Sequence, residues 1–393
     1  MIPLSKKKIV LLGMMSRHPV AGVIWQYVHY LVGFERLGYE AYYVEAGGHQ
    51  PSSMLTHNED ESDRVPEATA FIDGIMRRFD LGDRWAFQAL HADGRCYGLT
   101  ERQLDELYRS ADLIVNLHGA TPPLPEHYAT DRLVYLETDP VALQIELHEG
   151  HQETIDFLAP HRAFFTFGEN YGNPDCRLPL SERFDFKPTR QPVVVDLWDA
   201  DVRGPGGAFT SIGNWQQQYR EVLFDGEVYH WSKHHEFLKF LDLPTRADRP
   251  FELALSRCGE ADARMLEDHG WRVRDALSFS TDVDAYREYV VGSRGEFTVA
   301  KDQNVRLRSG WFSDRSATYL AAGRPVITQE TGFSSILPTG AGLFGFSTLE
   351  EILVAVEAID GDYDRHSRGA SVIAREYFNY DVVLTQLLKE TGL

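Results

Sequence analysis

With 393 residues, 43% of them hydrophobic and 25% charged, the chain is long enough for two globular cores and too apolar to be disordered. Its formal charge of −20 repels phosphate backbones and anionic headgroups, which argues against nucleic-acid or membrane-bound partners. No apolar run reaches the ~20 residues that span a bilayer. Cys96, Cys176 and Cys258 are too few and too scattered for a disulfide framework or a metal-ligand set. These features predict a cytoplasmic protein without stable membrane insertion.

The start, MIPLSKKKIVLLG, has the basic-then-apolar order of a leader peptide. Its apolar run is short and leads into a Gly-containing loop, so residues 7–13 read as a first buried strand. The loop MMSRHPVAGV follows. Ile24 to Leu37 has helical periodicity and stops at Gly38; AYYVEA is the next strand and ends at Gly47-Gly48. This order is the right-handed unit of a parallel sheet. Residues 49–66 are polar and acidic and read as an exposed loop. Beyond a helical stretch, RCYGL, LIVNL, DRLVYLETDP and HRAFFTFGEN continue the series of strands, each ending in a polar loop. In an open parallel sheet those loops hold the ligands.

Residues 172–192 are rich in Pro and charge and break the pattern, and the interdomain linker is predicted at 186–192. A second series then runs through PVVVDLW, FTSIGN, FELALS, WRVRD, GEFTVA and RPVITQ. The prediction is an N-terminal domain at 1–185, a C-terminal domain at 193–370, and a terminal helix at 371–393 interrupted near Phe378-Asn379-Tyr380.

Residues 296–346 carry the strongest signal, as strand, polar loop, helix, strand and loop. Ser313 is a natural N-cap, Asp314 and Arg315 lie in the first turn, and the helix ends at Gly323. Free first-turn N–H groups and the helix dipole make an anion site, beside which Lys301, Arg306 and Arg308 can neutralise a diphosphate. The strand RPVIT delivers Gln329, Glu330, Thr331 and Gly332 to the same edge. Gly332 permits close backbone approach, and Glu330 can accept hydrogen bonds from sugar hydroxyls.

The run GWFSDRSATYLAAGRPVITQETG resembles the donor-binding signature of GT-B glycosyltransferases, and FTSIGNWQ resembles the first strand and phosphate-side turn of their donor domain. The resemblance implies an α/β fold of two facing Rossmann-like domains with parallel sheets and a deep cleft. It implies sugar transfer from a nucleoside-diphosphate sugar, as co-substrate and with no further cofactor, to a small-molecule or glycan acceptor. The terminal helix resembles the one that crosses back to the N-terminal domain in these enzymes. The donor would be held by Gly213, Asn214, Lys301, Arg308, Ser309, Gly310, Ser313, Asp314, Arg315, Glu330, Thr331 and Gly332. Two departures mark a divergent member. Gly310 and Thr318 stand where many retaining members carry paired glutamates, and Arg308-Ser309-Gly310-Trp311 replaces the His-Cys-Gly-Trp loop of plant-type inverting members.

A base for the acceptor hydroxyl suits imidazole, whose ordinary pKa is near neutrality. His18, after the first strand, is the first candidate; His118, Asp139 and Glu45 also end strands. In WSKHHEF, adjacent His234 and His235 are expected to point apart, so no metal is predicted, and Lys233 is a further phosphate candidate. Two alternatives remain open: a nucleotide-sugar epimerase on the same fold, and a nucleotide-sugar-binding protein without turnover. A nicotinamide oxidoreductase is disfavoured because the first strand leads into no G-x-G-x-x-G.

Overall fold

The computed structural model describes residues 6–55, 64–199, 206–217 and 220–393. Most of the acidic stretch of the predicted loop at 49–66 lies outside the described residues, and among the described ones Ser53–Leu55 form a short helical turn.

The N-terminal half is built on one sheet. Its strands are Lys8–Leu12 (β1), Glu40–Glu45 (β2), Trp85–Gln88 (β3), Cys96–Gly98 (β4), Leu113–Leu117 (β5), Leu133–Glu137 (β6), Ala163–Thr166 (β7) and Phe186–Pro188 (β8). They lie in the order β4-β3-β2-β1-β5-β6-β7-β8, all parallel except β4. The fully buried central strands are continuous apolar runs, as a sheet covered by helices on both faces requires.

The C-terminal half contains Phe209–Asn214 (β9), a hairpin of Val222–Phe224 (β10) and Glu227–Tyr229 (β11), then Phe251–Ser256 (β12), Arg272–Asp275 (β13), Gly295–Thr298 (β14), Val326–Gln329 (β15) and Leu343–Phe346 (β16). Its parallel sheet has the order β13-β12-β9-β14-β15-β16. Counted along that half this is 3-2-1-4-5-6, the doubly wound order, with ligands expected where the order reverses, beside β9 and β14. In the first sheet the reversal falls beside β1 and β5.

Four sequence readings need correction. PVVVDLW is not a strand. Val195–Trp198 form a 3-10 turn, with Val193 bridging Asn379, because an apolar run buried on all sides carries no period to tell strand from turn. Phe186–Pro188, placed in the linker, pairs with β7 and extends the first sheet. β3 and β16 escaped prediction, being four-residue strands without alternation. The polar loop after β14 contains a short helix, Asp302–Leu307.

The terminal segment departs from helical geometry at 374–378, where the turn widens, and resumes as the helix Tyr380–Thr391. That last helix returns to the first half. Arg162 donates to the Thr391 carbonyl (3.1 Å), and Lys187 pairs with Glu390 (2.6 Å). No helix among the described residues is long and apolar enough to cross a membrane.

His29, in the helix Ala21–Arg36, is buried beside Trp198, whose indole N–H donates to its Nε2 (3.0 Å). Burial pushes this imidazole down to about 3. Because the unfolded chain carries His near 6.5, it binds the extra proton between those values, and stability falls as the pH drops through that window. From pH 7 to pH 5, urea titrations should show the wild type losing about 2 kcal/mol more than His29→Gln. Equal losses would refute a neutral buried imidazole.

Candidate functional site

The strand ends of the two sheets face each other across a cleft whose walls touch at a few points. Ala21 N–H, an orphan donor at a helix start, is satisfied by the Ser280 carbonyl of the other half (2.6 Å), and Trp25 Nε1 donates to Val283 O (3.1 Å). Lys301 Nζ reaches Asp139 Oδ1 (2.5 Å), and Trp311 Nε1 donates to Thr138 O (3.0 Å). The last two contacts hold the loop after β6 against the polar segment after β14.

Between the halves lie two cavities that share a wall. The first, of about 370 Å³, is lined on the C-terminal side by Gly213, Asn214, Lys233, Lys301, Ser313 and Arg315, and on the N-terminal side by Met14, Gln26, His118 and Asp139. The second, of about 530 Å³, is lined by Tyr135, Glu137, Glu146, Arg220, Glu221 and Trp231. Met14, His118, Thr138 and Asp139 belong to both.

The first lobe is cationic. Ser313 precedes the helix Asp314–Ala321 without a side-chain cap bond, so its hydroxyl does not occupy the first-turn N–H groups. Arg315, in that turn, is held by Glu296 (2.5 Å), Thr298 Oγ1 (2.8 Å) and the Ile212 carbonyl, which fixes it beneath Gly213. Lys233 is half-buried over the Trp311 ring (5.3 Å). Loss of water, with Arg315 and Lys301 nearby, lowers it to about 7. Asp314 also lines this lobe, and burial raises its carboxyl above the ordinary value.

The shared wall is strained. His118 has φ 63° and Val141, two residues after Asp139, has φ 122°, a region β-branched residues rarely enter. His118 Nδ1 lies 2.5 Å from Thr138 Oγ1, while its buried Nε2 has no hydrogen-bond partner among the described residues. Burial lowers this imidazole to about 4, against the opposing pull of Asp139. For Asp139, burial opposes the charged form, yet Lys301 holds the carboxyl below its ordinary value.

Nine of the predicted residues therefore meet in one cavity: His118, Asp139, Gly213, Asn214, Lys233, Lys301, Ser313, Asp314 and Arg315. The others lie elsewhere. His18 is exposed on its loop and lines neither lobe. Arg308 pairs with Asp175 (2.8 Å), and Arg306 with Asp302 (3.3 Å) and Glu227, away from the cleft. Ser309, Gly310, Thr331 and Gly332 form a nest filled by protein. Asn170 N–H donates to Ser309 O (3.1 Å), Asn170 Nδ2 to Arg308 O (2.9 Å), and a Cβ at Gly310 would stand 2.3 Å from Asn170 N. Thr331 Oγ1 donates to Trp311 O (2.7 Å), and Glu330 accepts from Gly332 N–H (2.5 Å), closing its own turn. The glycines admit close backbone approach as predicted, but the approaching backbone is the loop after β7.

His234 and His235 do not point apart: their rings lie 3.9 Å apart. Glu221, His230 and His235 bring one ligand atom each within 4.8 Å of one another, a group that can hold a metal ion at the rim of the second lobe. Sequence reading missed Glu137, Tyr135, Arg220 and Trp231. Glu137 carried a usable signal, since a carboxylate closing the buried run LVYL must be paired or face a cavity.

The whole chain superposes on solved two-domain structures. It resembles Anabaena Alr3699/HepE in complex with UDP and glucose (TM-score 0.55, 11% identity, 98% of this chain and 99% of that one). It resembles an alpha-glucosyltransferase in complex with UDP and a 13-mer DNA (TM-score 0.60, 10% identity, 99% and 100%). A glycosyltransferase from Rickettsia africae is similar over 99% and 98% of the two chains (TM-score 0.51, 9% identity). The chain has the GT-B fold. No protein-family model and no curated protein matches the sequence, so this GT-B chain is divergent.

Within it, Glu296 is fully buried and depends on Arg315 for neutralisation. Arg315→Ala should cost about 3–5 kcal/mol by stranding that charge. Glu296→Gln in the same chain should recover most of the loss in denaturant midpoint. No recovery would show that the pair does not act as one unit.

Proposed function

We propose that the protein transfers a sugar from a nucleoside-diphosphate sugar to a hydroxyl of a small-molecule or glycan acceptor. The observation that carries this reading is the shared wall: a cationic lobe and an acidic lobe open onto the same His118, Thr138 and Asp139. Transfer requires two substrates to meet at bonding distance in a place from which water is displaced. A protein that only binds a nucleotide sugar has no use for the second lobe. The relatives solved with UDP, or with UDP and glucose, support a uridine nucleotide as the donor to test first.

In this reading the helix start at Ser313, with Lys233 and Arg315, holds the diphosphate and takes up negative charge as the bond from the sugar to the leaving phosphate breaks. His118 receives the acceptor's proton on Nε2, the nitrogen left unpartnered, while Thr138 orients the ring through Nδ1. Asp139 stabilises the imidazolium that forms. Lys233, with the helix start, offsets the diphosphate charge where other transferases use a divalent ion, so the reaction is assigned no obligatory metal and no separate cofactor. Unpaired Cys96, Cys176 and Cys258 suit a cytoplasmic setting. The acidic acceptor lobe and the charge of −20 argue against a nucleic-acid acceptor, although one relative was solved with DNA.

Two measurements test this. Because Lys233 titrates near 7, it is charged below that pH and neutral above it. UDP should therefore bind about tenfold more weakly at pH 8.5 than at pH 6. Lys233→Arg, which stays charged, should lose that weakening, leaving only the change due to ionisation of the terminal phosphate of UDP itself. An identical pH dependence in the variant would remove Lys233 from the donor site. For the chemical step, His118→Ala should lower turnover by about 10²–10⁴-fold with donor affinity nearly unchanged. A folded variant with near-normal turnover would overturn the assignment of the base, and turnover lost on chelation would overturn the metal-free reading.

A further inference from the structure

The acceptor lobe has a chemistry of its own, and the inference below rests on the transferase reading only for the word acceptor. Four carboxylates border this cavity, from Glu137, Asp139, Glu146 and Glu221, against one guanidinium, from Arg220. The Arg220 guanidinium lies over the Trp231 ring, 4.9 Å from its centre. Lys301 sits at the junction, its ammonium against the Trp231 ring, and is committed to Asp139. Glu146 accepts one hydrogen bond, from Thr154 Oγ1 (2.6 Å).

Glu137 stands out within this set. Its residue is 2% exposed at the end of β6, and its Oε2 accepts from Thr166 Oγ1 (2.5 Å) and Tyr171 O–H (3.1 Å). Its Oε1 is buried and accepts nothing among the described residues. A buried carboxyl oxygen left without a donor is costly, and a ligand that brings one removes the cost. Burial raises this carboxyl to about 8, with Asp139 adding to the shift. Asp139 is paired with Lys301, and Glu221 lies 2.7 Å from His230 Nδ1, but Glu146 makes no ion pair among the described residues. A neutral hydroxyl would therefore supply a donor and leave Glu146 uncompensated. An ammonium group supplies both the donor and the charge.

We propose that the second lobe binds a polyhydroxylated acceptor carrying an ammonium group, such as an amino sugar, with Glu137 and Glu146 as the carboxylates that receive it. A phosphorylated acceptor is rejected by the same groups. Binding draws the proton from Glu137, so near neutral pH the complex releases it to the buffer.

Direct calorimetric titration into the whole protein, with and without UDP, tests this without depending on turnover. The probes share one ring and differ at one group: glucose, its 2-amino and 6-amino derivatives, and glucose 6-phosphate. At least one amino sugar should bind about tenfold or more tightly than glucose, the worth of one charge-assisted hydrogen bond, and the phosphate should not bind measurably. The heat of amino-sugar binding should vary with buffer ionisation enthalpy in the sense of proton release at pH 7. Glu137→Gln should abolish both the amino preference and the proton release while leaving UDP affinity unchanged. If that variant does not fold, Glu146→Gln should still reduce the amino preference. Equal binding of glucose and both amino sugars, tightest binding of the phosphate, or no binding of any probe would overturn the proposal. Failure of UDP to bind, with the amino preference intact, would instead overturn the transferase reading.

Discussion

The Asp139 carboxylate, 38% exposed at the cleft, is paired with a buried cation that comes from the other half of the molecule. Lys301 has its own requirement, since its side chain is 10% exposed and its ammonium sits against the Trp231 ring, 3.1 Å from its centre. The pair therefore acts as a registration point between the two sheets, and removing Asp139 would leave the buried Lys301 without its counter-charge. The Trp311 indole bonded to the Thr138 carbonyl fixes the same loop one residue earlier. The common wall of the two lobes depends on this loop being held from across the gap, while the Ala21–Ser280 and Trp25–Val283 contacts hold the halves together elsewhere.

That dependence accounts for where the backbone is strained. Val141 at φ 122° and His118 at φ 63° lie at the ends of neighbouring strands, β6 and β5, and each such conformation costs about 1–3 kcal/mol. Val141 is fully buried and Pro140 precedes it, so the sharp turn after Asp139 has little freedom to relax. His118 turns at the point where strand order reverses, the place at which a doubly wound sheet opens a crevice. The sheet interior supplies the rigidity that keeps both residues in poorly populated conformations: the Val141 side chain is locked among Ile145, Leu178 and Leu307, and the His118 side chain lines both lobes.

The parts of this arrangement that were legible in the sequence are those governed by local rules. Apolar runs ending in polar loops marked most of the parallel strands, and Ser313 with Gly323 marked both ends of the helix at the donor lobe. The doubly wound α/β plan follows from such signals because each is decided within a few residues. What stayed hidden depends on contacts distant in sequence. Nothing local distinguishes Gly310 and Gly332 as seats for Asn170 rather than for a ligand, since a positive φ serves either. Nothing local separates His18 from His118, because both follow a buried strand; the difference is that the chain after β5 turns into the cleft whereas the His18 side chain remains exposed. Glu137 was visible as a carboxylate closing an apolar strand, but its partners Thr166 and Tyr171 come from the neighbouring strand and the loop beyond it.

The uneven distribution of charge follows from the same architecture. A protein with net charge −20 presents an unfavourable field to any diphosphate approaching from solution. Lys233, Lys301 and Arg315 reverse that field only inside the first lobe, where lowered dielectric strengthens each contact and the helix start adds its dipole. Because Lys301 is spent on Asp139 and Arg315 on Glu296, the uncommitted cation is Lys233, which makes no ion pair among the described residues. Its lowered pKa is the physical trace of that position: two neighbouring cations and little water leave the ammonium poorly stabilised until an anion arrives. The second lobe carries the opposite sign a few residues away, so the junction at His118 and Asp139 lies on the boundary between the two fields. An anion is favoured on one side of that boundary and a cation on the other, so charge alone sorts two unlike ligands into lobes that share a wall.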